Sequence, residues 1–133
     1  MAKLILSRAT MARGVVVLDE NVGGLEPALR EANILVIKPS DEISDDEIKA
    51  ILLPHRIFVT NNPEDFILDA PAYEYGIIAL NKLKFIDPSP TYRTNKTVQL
   101  ISKAMSQYKL WVRGARFLLE LREDGKHTLE ELS

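Results

Sequence analysis

The chain has 133 residues, no cysteine, 46% hydrophobic residues and a formal net charge of −2 at pH 7. This length allows one domain with a hydrophobic core and is too short for two. The absence of cysteine excludes disulfides, zinc–thiolate sites and cysteine nucleophiles, and it fits a reducing cytoplasm. We recognise neither a membrane-spanning run nor a signal peptide, so we expect a cytoplasmic protein that does not enter a membrane.

The charges are unevenly distributed along the chain. Residues 19–74 carry 13 acids and 4 Lys or Arg, a net charge of −9, whereas residues 82–122 carry 9 Lys or Arg and 2 acids, a net charge of +7. Two interpretations stay open. The segregation indicates either an acidic metal pocket beside a basic surface for a polyanion, or solvated helix faces whose charges cluster by chance.

Strand-like and helix-like segments alternate over the first 80 residues. Short apolar runs predict four strands, at 15–18, 34–37, 57–60 and 76–80. Helical patterns lie between them, at 25–32, at 45–53 and in a turn that Asn62 caps. Ser44 and Glu47 form a capping-box motif at the start of the second helix. This alternation predicts an α/β fold with a mostly parallel sheet.

The pattern changes in the second half of the chain. The longest predicted helix, 95–108, carries Val98, Ile101, Met105 and Tyr108 on one face at helical spacing. Strands are predicted after it at 110–112, 116–122 and 128–132, with a turn before the last. We therefore divide the chain into an N-terminal extension (1–14), a main domain (15–108) and a C-terminal strand or hairpin extension packed on it (109–133).

Acidic residues follow the predicted strands at equivalent places. Asp19 and Glu20 come directly after the first strand, Asp46 opens the second helix, and Asp65 follows the third strand. In parallel sheets, ligands bind beyond the carboxyl ends of the strands. Converging carboxylates repel one another unless a cation joins them, and oxygen ligands suit Mg²⁺ or Mn²⁺. The pattern predicts a metal-dependent phosphodiesterase, in which the ion activates water and neutralises phosphate charge.

Each acid also has a structural explanation. Asp45 and Asp46 are favoured at a helix N-terminus by the helix dipole, and Asp65 could act as a capping acid. This explanation is weakest for Asp19, because a carboxylate that ends a buried strand needs a partner or a metal.

Polar and basic side chains near these acids are candidates for substrate binding. Thr60 and Asn61 end the third strand, and they could orient a phosphate oxygen or a water, or serve turn chemistry. Lys and Arg between 82 and 116, including Arg93 and Lys96, could bind the phosphates of a polyanion.

Four segments, taken in this order, resemble PIN-like proteins of the DUF5615 and Mut7-C type: 17–21, 29–36, 44–48 and 56–66. These proteins are compact relatives of the toxin ribonucleases of toxin–antitoxin pairs, and the resemblance covers about residues 15–80. It implies a three-layer α/β/α sandwich, a Mg²⁺ or Mn²⁺ site, and hydrolysis of RNA. The implied partners are RNA, an antitoxin protein and a second copy of the chain, the last through the tail 110–121.

The resemblance also implies a site. Asp19, Asp46 and Asp65 would be catalytic and would bind the metal, with Asp45 as a register alternative to Asp46. Glu20 and Asn62 would complete the metal ligands. The family often carries Asp where this chain has Asn62. An Asn oxygen can bind a metal but brings no charge, so a degenerate site is the alternative.

Two rival functions stay open. A phosphoacceptor receiver domain would need an Asp at the end of the third strand, where this chain has Thr60-Asn61-Asn62. A catalytically inert PIN-like module that binds a protein partner or nucleic acid would be consistent with Asn62.

Overall fold

The computed structural model describes residues 15–85, 89–108 and 116–133. These residues form a mixed α/β structure around one six-stranded sheet, whose strands are β1 (Val15–Leu18), β2 (Leu35–Ile37), β3 (Ile57–Thr60), β4 (Gly76–Ala79), β5 (Phe117–Leu121) and β6 (His127–Glu131). The strand order is β2-β1-β3-β4-β5-β6. Every neighbouring pair is parallel except β5–β6, which is antiparallel. The predicted α/β class and mostly parallel sheet are therefore confirmed.

The helices are shorter and more varied than the sequence pattern suggested. They are a 3₁₀-helix (Glu20–Leu25), α1 (Glu26–Glu31), α2 (Asp45–Glu47) continuing as a π-helix (Ile48–Leu52), α3 (Glu64–Ile67), α4 (Ala70–Tyr73) and α5 (Pro90–Tyr108). The predicted single helix 45–53 was wrong in its geometry, because its second half is a π-helix. Helix α5 begins at Pro90 rather than at the predicted Asn95. No helix in the described ranges is long and apolar enough to cross a bilayer.

The capping box predicted at α2 is confirmed. The Ser44 hydroxyl accepts a hydrogen bond from the Glu47 N–H at 3.2 Å, and Glu47 Oε1 accepts from the Ser44 N–H at 3.4 Å. The cap predicted for Asn62 was wrong. Pro63 is the N-cap of α3 and provides no side-chain hydrogen bond, whereas the Asn62 N–H donates to the Thr60 hydroxyl.

Successive strand residues point to opposite sides of the sheet and enter two separate apolar clusters. On one side, which we call the α5 face, strand residues such as Val16, Leu18 and Val59 pack against α1 and α5. On the other side, which we call the short-helix face, Val17, Phe58 and Ile77, among others, pack against the elements between Ile48 and Tyr75. Strands β3 and β4 are buried along their whole length, as the inner strands of a parallel sheet require, whereas β2 has one buried residue and β6 has none.

The predicted C-terminal hairpin is present and continues the sheet. Strand β5 lies beside β4 in parallel, and β6 returns beside β5. The approach of β4 and β5 depends on Gly76, since a Cβ there would lie 2.1 Å from Cε2 of the Phe117 ring. The predicted strand at 110–112 and the extension 1–14 lie outside the described residues.

Candidate functional site at the carboxyl edge of the sheet

Asp19 lies directly beyond the carboxyl end of β1 and is fixed by two hydrogen bonds. Its Oδ2 accepts from the hydroxyl of Thr60 at 2.8 Å, and its Oδ1 accepts from the Glu20 N–H at 2.8 Å. Its own N–H donates to the Val59 carbonyl at 3.1 Å, which extends the pairing of β1 with β3 by one residue. The partly buried carboxylate is therefore held in one orientation before any ligand arrives.

Thr60 provides this orientation from a fully buried position at the end of β3. Its hydroxyl donates to Asp19 and accepts from the Asn62 N–H at 3.0 Å, so its donor and one acceptor position are both used. The contact that the structure shows for Thr60 is with the Asp19 carboxylate, and its predicted role in binding substrate stays a prediction. Thr60 is a positioning residue for Asp19.

The strand order places this pair at a special point of the sheet. The chain runs from β1 outward to β2 in one direction and then from β3 to β5 in the other, so the direction reverses between β1 and β3. Open α/β sheets bind ligands in the crevice at such a reversal. Asp19 and Thr60 end the two strands that border it, which makes this edge the candidate site.

The other predicted acids do not join Asp19. Asp46 and Asp65 are exposed in the first turns of α2 and α3, and Glu20 is exposed in the 3₁₀-helix. Within residues 15–85, 89–108 and 116–133, no three His, Asp or Glu side chains converge so that they could hold a metal ion. Asp46 and Asp65 lie in first helical turns, where the helix dipole favours an acid.

A pocket opens beside the Asp19–Thr60 pair, and we call it the edge pocket. It has a volume of about 450 Å³, and it is lined by the 3₁₀-helix, the ends of β3 and β4, the loop after β4, and the first turns of α5. Two residues predicted for substrate binding, Asn61 and Arg93, line it together with Asn21. The structure therefore brings these two predicted residues to one cavity, whose lining residues Asn21 and Asn61 follow Asp19 and Thr60 closely along the chain.

Helix α5 contributes basic and polar groups on a second side. It contains Arg93, Lys96 and Lys103 and no acid. Lys96 does not reach the edge pocket and lines a separate groove with Tyr92, Asn95 and Gln99, among others. The N-terminal half of α5 thus presents amide and basic side chains to two adjoining concave surfaces.

Sequence reasoning missed several residues of the edge pocket. Asn21 was not among the predicted site residues, and Phe85 and Thr97 carried no recognisable motif. Thr97 lies one residue from Val98, at a position that helical spacing assigned to the flank of the apolar face. The signal that could have found it is its position one turn after Arg93, within a helix that begins earlier than predicted.

The chain has no significant match to any protein-family model, curated protein or solved structure. The resemblance to PIN-like proteins therefore stays a prediction that depends on the four sequence segments.

Proposed function

We propose that this protein is a metal-dependent ribonuclease of the PIN-like type whose essential carboxylate is Asp19. The observation that carries the proposal is the placement of Asp19. Its carboxylate is oriented by a buried threonine at the reversal point of a parallel sheet, beside an open pocket. Support for the three-layer α/β/α arrangement comes from the two apolar clusters on opposite faces of the sheet.

The residues at the carboxyl edge of the sheet fit a metal site with one carboxylate ligand better than a site with three. They do not fit the three-carboxylate centre that the sequence predicted, because Asp46 and Asp65 do not converge with Asp19. They fit a Mg²⁺ site with one carboxylate, since Mg²⁺ keeps several waters and is often completed by substrate phosphates. When bound there, the ion would neutralise phosphate charge and acidify a water molecule.

The chain's own residues would position the RNA. Asp19 keeps its orientation because Thr60 binds Oδ2 and the Glu20 N–H binds Oδ1. The basic side chains of α5 would attract the phosphate backbone, so RNA binding should weaken steeply as salt concentration rises. The amides of Asn21 and Asn61 would contact the nucleotide that enters the edge pocket.

A second candidate is a catalytically inert PIN-like module that binds nucleic acid or a protein. Asn62 favours it, because this amide stands where the family often has an acid and brings no charge to a metal. A toxin role, an antitoxin partner, a homodimer and a cytoplasmic location belong to the ribonuclease proposal, and they are supported only by the family resemblance and the composition.

The test compares wild type, Asp19→Asn, Asp46→Asn and Asp65→Asn in a labelled single-stranded RNA cleavage assay, with Mn²⁺ and Mg²⁺ titrated by calorimetry on the same samples. We expect metal binding and cleavage to disappear in Asp19→Asn and to persist in the other two variants. Thr60→Val should weaken metal binding by about 10–100-fold, as loss of a residue that orients a ligand does.

Two other outcomes are informative. Loss of cleavage in all three acid variants would support the three-carboxylate site predicted from sequence and would contradict the one-carboxylate site. A wild type that binds RNA but neither binds metal nor cleaves would establish the inert module.

A further inference from the structure

We propose that the edge pocket binds a single nucleobase of single-stranded RNA, an inference that rests on the proposed RNA-directed function. The pocket volume of about 450 Å³ lies within the range of small-molecule sites. A nucleobase has two apolar faces and a polar edge, and the pocket offers partners for both.

The apolar part of the pocket comes from the 3₁₀-helix and from the connection between β4 and α5. Leu25 ends the 3₁₀-helix, Leu80 follows β4, and Phe85 lies in the loop before α5. The Phe85 ring is perpendicular to that of Tyr92, with centroids 6.0 Å apart, which restricts its orientation. Unstacked bases in RNA are commonly held by aromatic side chains, and each base stacked in this way contributes about 1–3 kcal/mol.

The buried polar group in the pocket is the hydroxyl of Thr97. The residue is 6% exposed and lines the cavity, yet its side chain makes no hydrogen bond with the described residues. No fully enclosed side-chain polar atom in those residues lacks a partner. The hydroxyl therefore reaches the cavity, where it can donate to or accept from a ligand.

Asn21 and Asn61 add two amides from the other side of the pocket. Both are exposed, and each amide can donate and accept at once, as recognition of a base edge requires. Among the described residues that line the pocket, Arg93 alone carries a charge. One cation with amides, hydroxyls and an apolar wall suits a neutral planar base better than a lone phosphate. A base in a duplex would keep its edge paired, so the ligand is single-stranded.

The glycines of the 3₁₀-helix provide a way to fill this pocket. Gly24 lines the cavity, and a Cβ built on it meets nothing within 4 Å, so a side chain can begin there, and Gly24→Leu should reduce the space in the cavity. Gly23 is the matched control, because it does not line the pocket. Its Cβ would contact only the flexible end of Lys38, at 3.4 Å.

The experiment titrates the full-length protein, in the presence of a chelator, with the four ribonucleoside 5′-monophosphates and with ribose 5-phosphate. Binding is followed by two-dimensional NMR. We expect at least one nucleotide to bind about tenfold or more tightly than ribose 5-phosphate, with shifts at the Asn21 and Asn61 side-chain amides. Gly24→Leu should abolish this preference and Gly23→Leu should keep it. Thr97→Val should weaken nucleotide binding by about 3–10-fold, whereas Thr128→Val, on β6, should not.

Equal affinity for ribose 5-phosphate and the nucleotides, no binding at all, or binding unaffected by Gly24→Leu would each overturn the base pocket. The assay needs neither metal nor cleavage, so its result is separate from that of the nuclease test. Base binding without cleavage would support the base pocket and contradict the ribonuclease proposal. Cleavage without base binding would support the ribonuclease proposal and contradict the base pocket.

Discussion

The α5 face and the short-helix face of the sheet are covered by helices of very different length. On the α5 face, one helix of 19 residues buries Val98, Leu100, Ile101 and Met105, among others, in a single apolar cluster. On the short-helix face, the covering elements have three to five residues each. Isolated helices shorter than about 12–15 residues are marginal in water, so these segments need other interactions to stay in place.

Polar side chains supply those interactions on the short-helix face. The Tyr75 hydroxyl donates to the Phe66 carbonyl, and Arg56 donates to the Leu52 carbonyl at 2.9 Å. Lys49, 7% exposed, donates to Asp69 at 2.9 Å and lies 5.1 Å from the Phe66 ring centroid. The long helix is held by its apolar face, with hydrogen bonds near its ends, Tyr92–Glu123 at 3.2 Å and Tyr108–His127 at 2.8 Å. The short helices are instead joined to one another by specific polar contacts.

The largest expected effect is on the α5 face. Ile101→Ala removes a fully buried side chain from the middle of α5, and the rigid sheet cannot collapse into the cavity. We expect the free energy of unfolding to fall by about 2–5 kcal/mol, measured by urea denaturation. Ile51→Ala is the control on the other face, where the side chain is 63% exposed. That variant should change stability by no more than about 0.5 kcal/mol. Comparable losses of unfolding free energy in both variants would contradict the claim that the buried side chain of α5 contributes more to stability than the exposed one.

A smaller effect is expected from Tyr75→Phe on the short-helix face. The change leaves the Phe66 carbonyl without its donor, which should cost about 1–3 kcal/mol. The exposed Tyr73→Phe is the matched control and should have little effect. A loss in Tyr75→Phe no larger than that in the control would show that this hydrogen bond does not hold the short helices.

The same residue predicts a pH dependence. Burial raises the pKa of Tyr75 above its ordinary value of 10.0, because the folded protein disfavours the charged phenolate. The native state then binds the proton more tightly than the unfolded state, so this contribution is complete below about pH 10 and is lost as pH rises further. Wild type should therefore lose more stability than Tyr75→Phe between about pH 9 and about pH 11. If the stability of wild type and of Tyr75→Phe fell in parallel as pH rises, the loss would not come from ionisation of Tyr75.

The smallest effect is expected from Lys49→Met. Methionine keeps the volume and removes a charge that is costly to bury, so stability should stay within about 1 kcal/mol of the wild type. Asp69→Asn should cost more, about 1–3 kcal/mol, since it weakens the pairing of a lysine that stays buried. If Lys49→Met were the more damaging of the two, the ion pair would be essential to this face.

Strands β1 to β4 were predictable because each is a short apolar run, and burial on both faces of a parallel sheet selects for such runs. The predicted bounds of β1 and β3 agree with the structure. The helices between β2 and β4 were less predictable. The π-helix at Ile48–Leu52 and the break between α3 and α4 depend on contacts such as Lys49–Asp69, which join residues distant in sequence.

Prediction of the candidate site from the sequence was limited in the same way, by contacts between residues distant along the chain. Asp19 could be singled out because a carboxylate after a buried strand needs a partner, and the structure shows that Thr60 is a partner. The convergence of Asp46 and Asp65 could not be judged from sequence, since an acid in a first helical turn serves the helix equally well. Thr97 and Phe85 become neighbours of Asn61 only through the path of the chain after β4, which no local pattern encodes.

The two outer strands of the described sheet influence whether separate copies of the protein can pair edge to edge at high concentration. Strand β2 has only three residues, and the Arg30 guanidinium donates to the Val36 carbonyl at 3.0 Å. Strand β6 exposes Thr128, Glu130 and Glu131. A short strand at one margin and clustered negative charge at the other are features that discourage strand addition and fibril growth. We therefore expect neither margin of the sheet that the described residues form to act as a template for strand addition between copies.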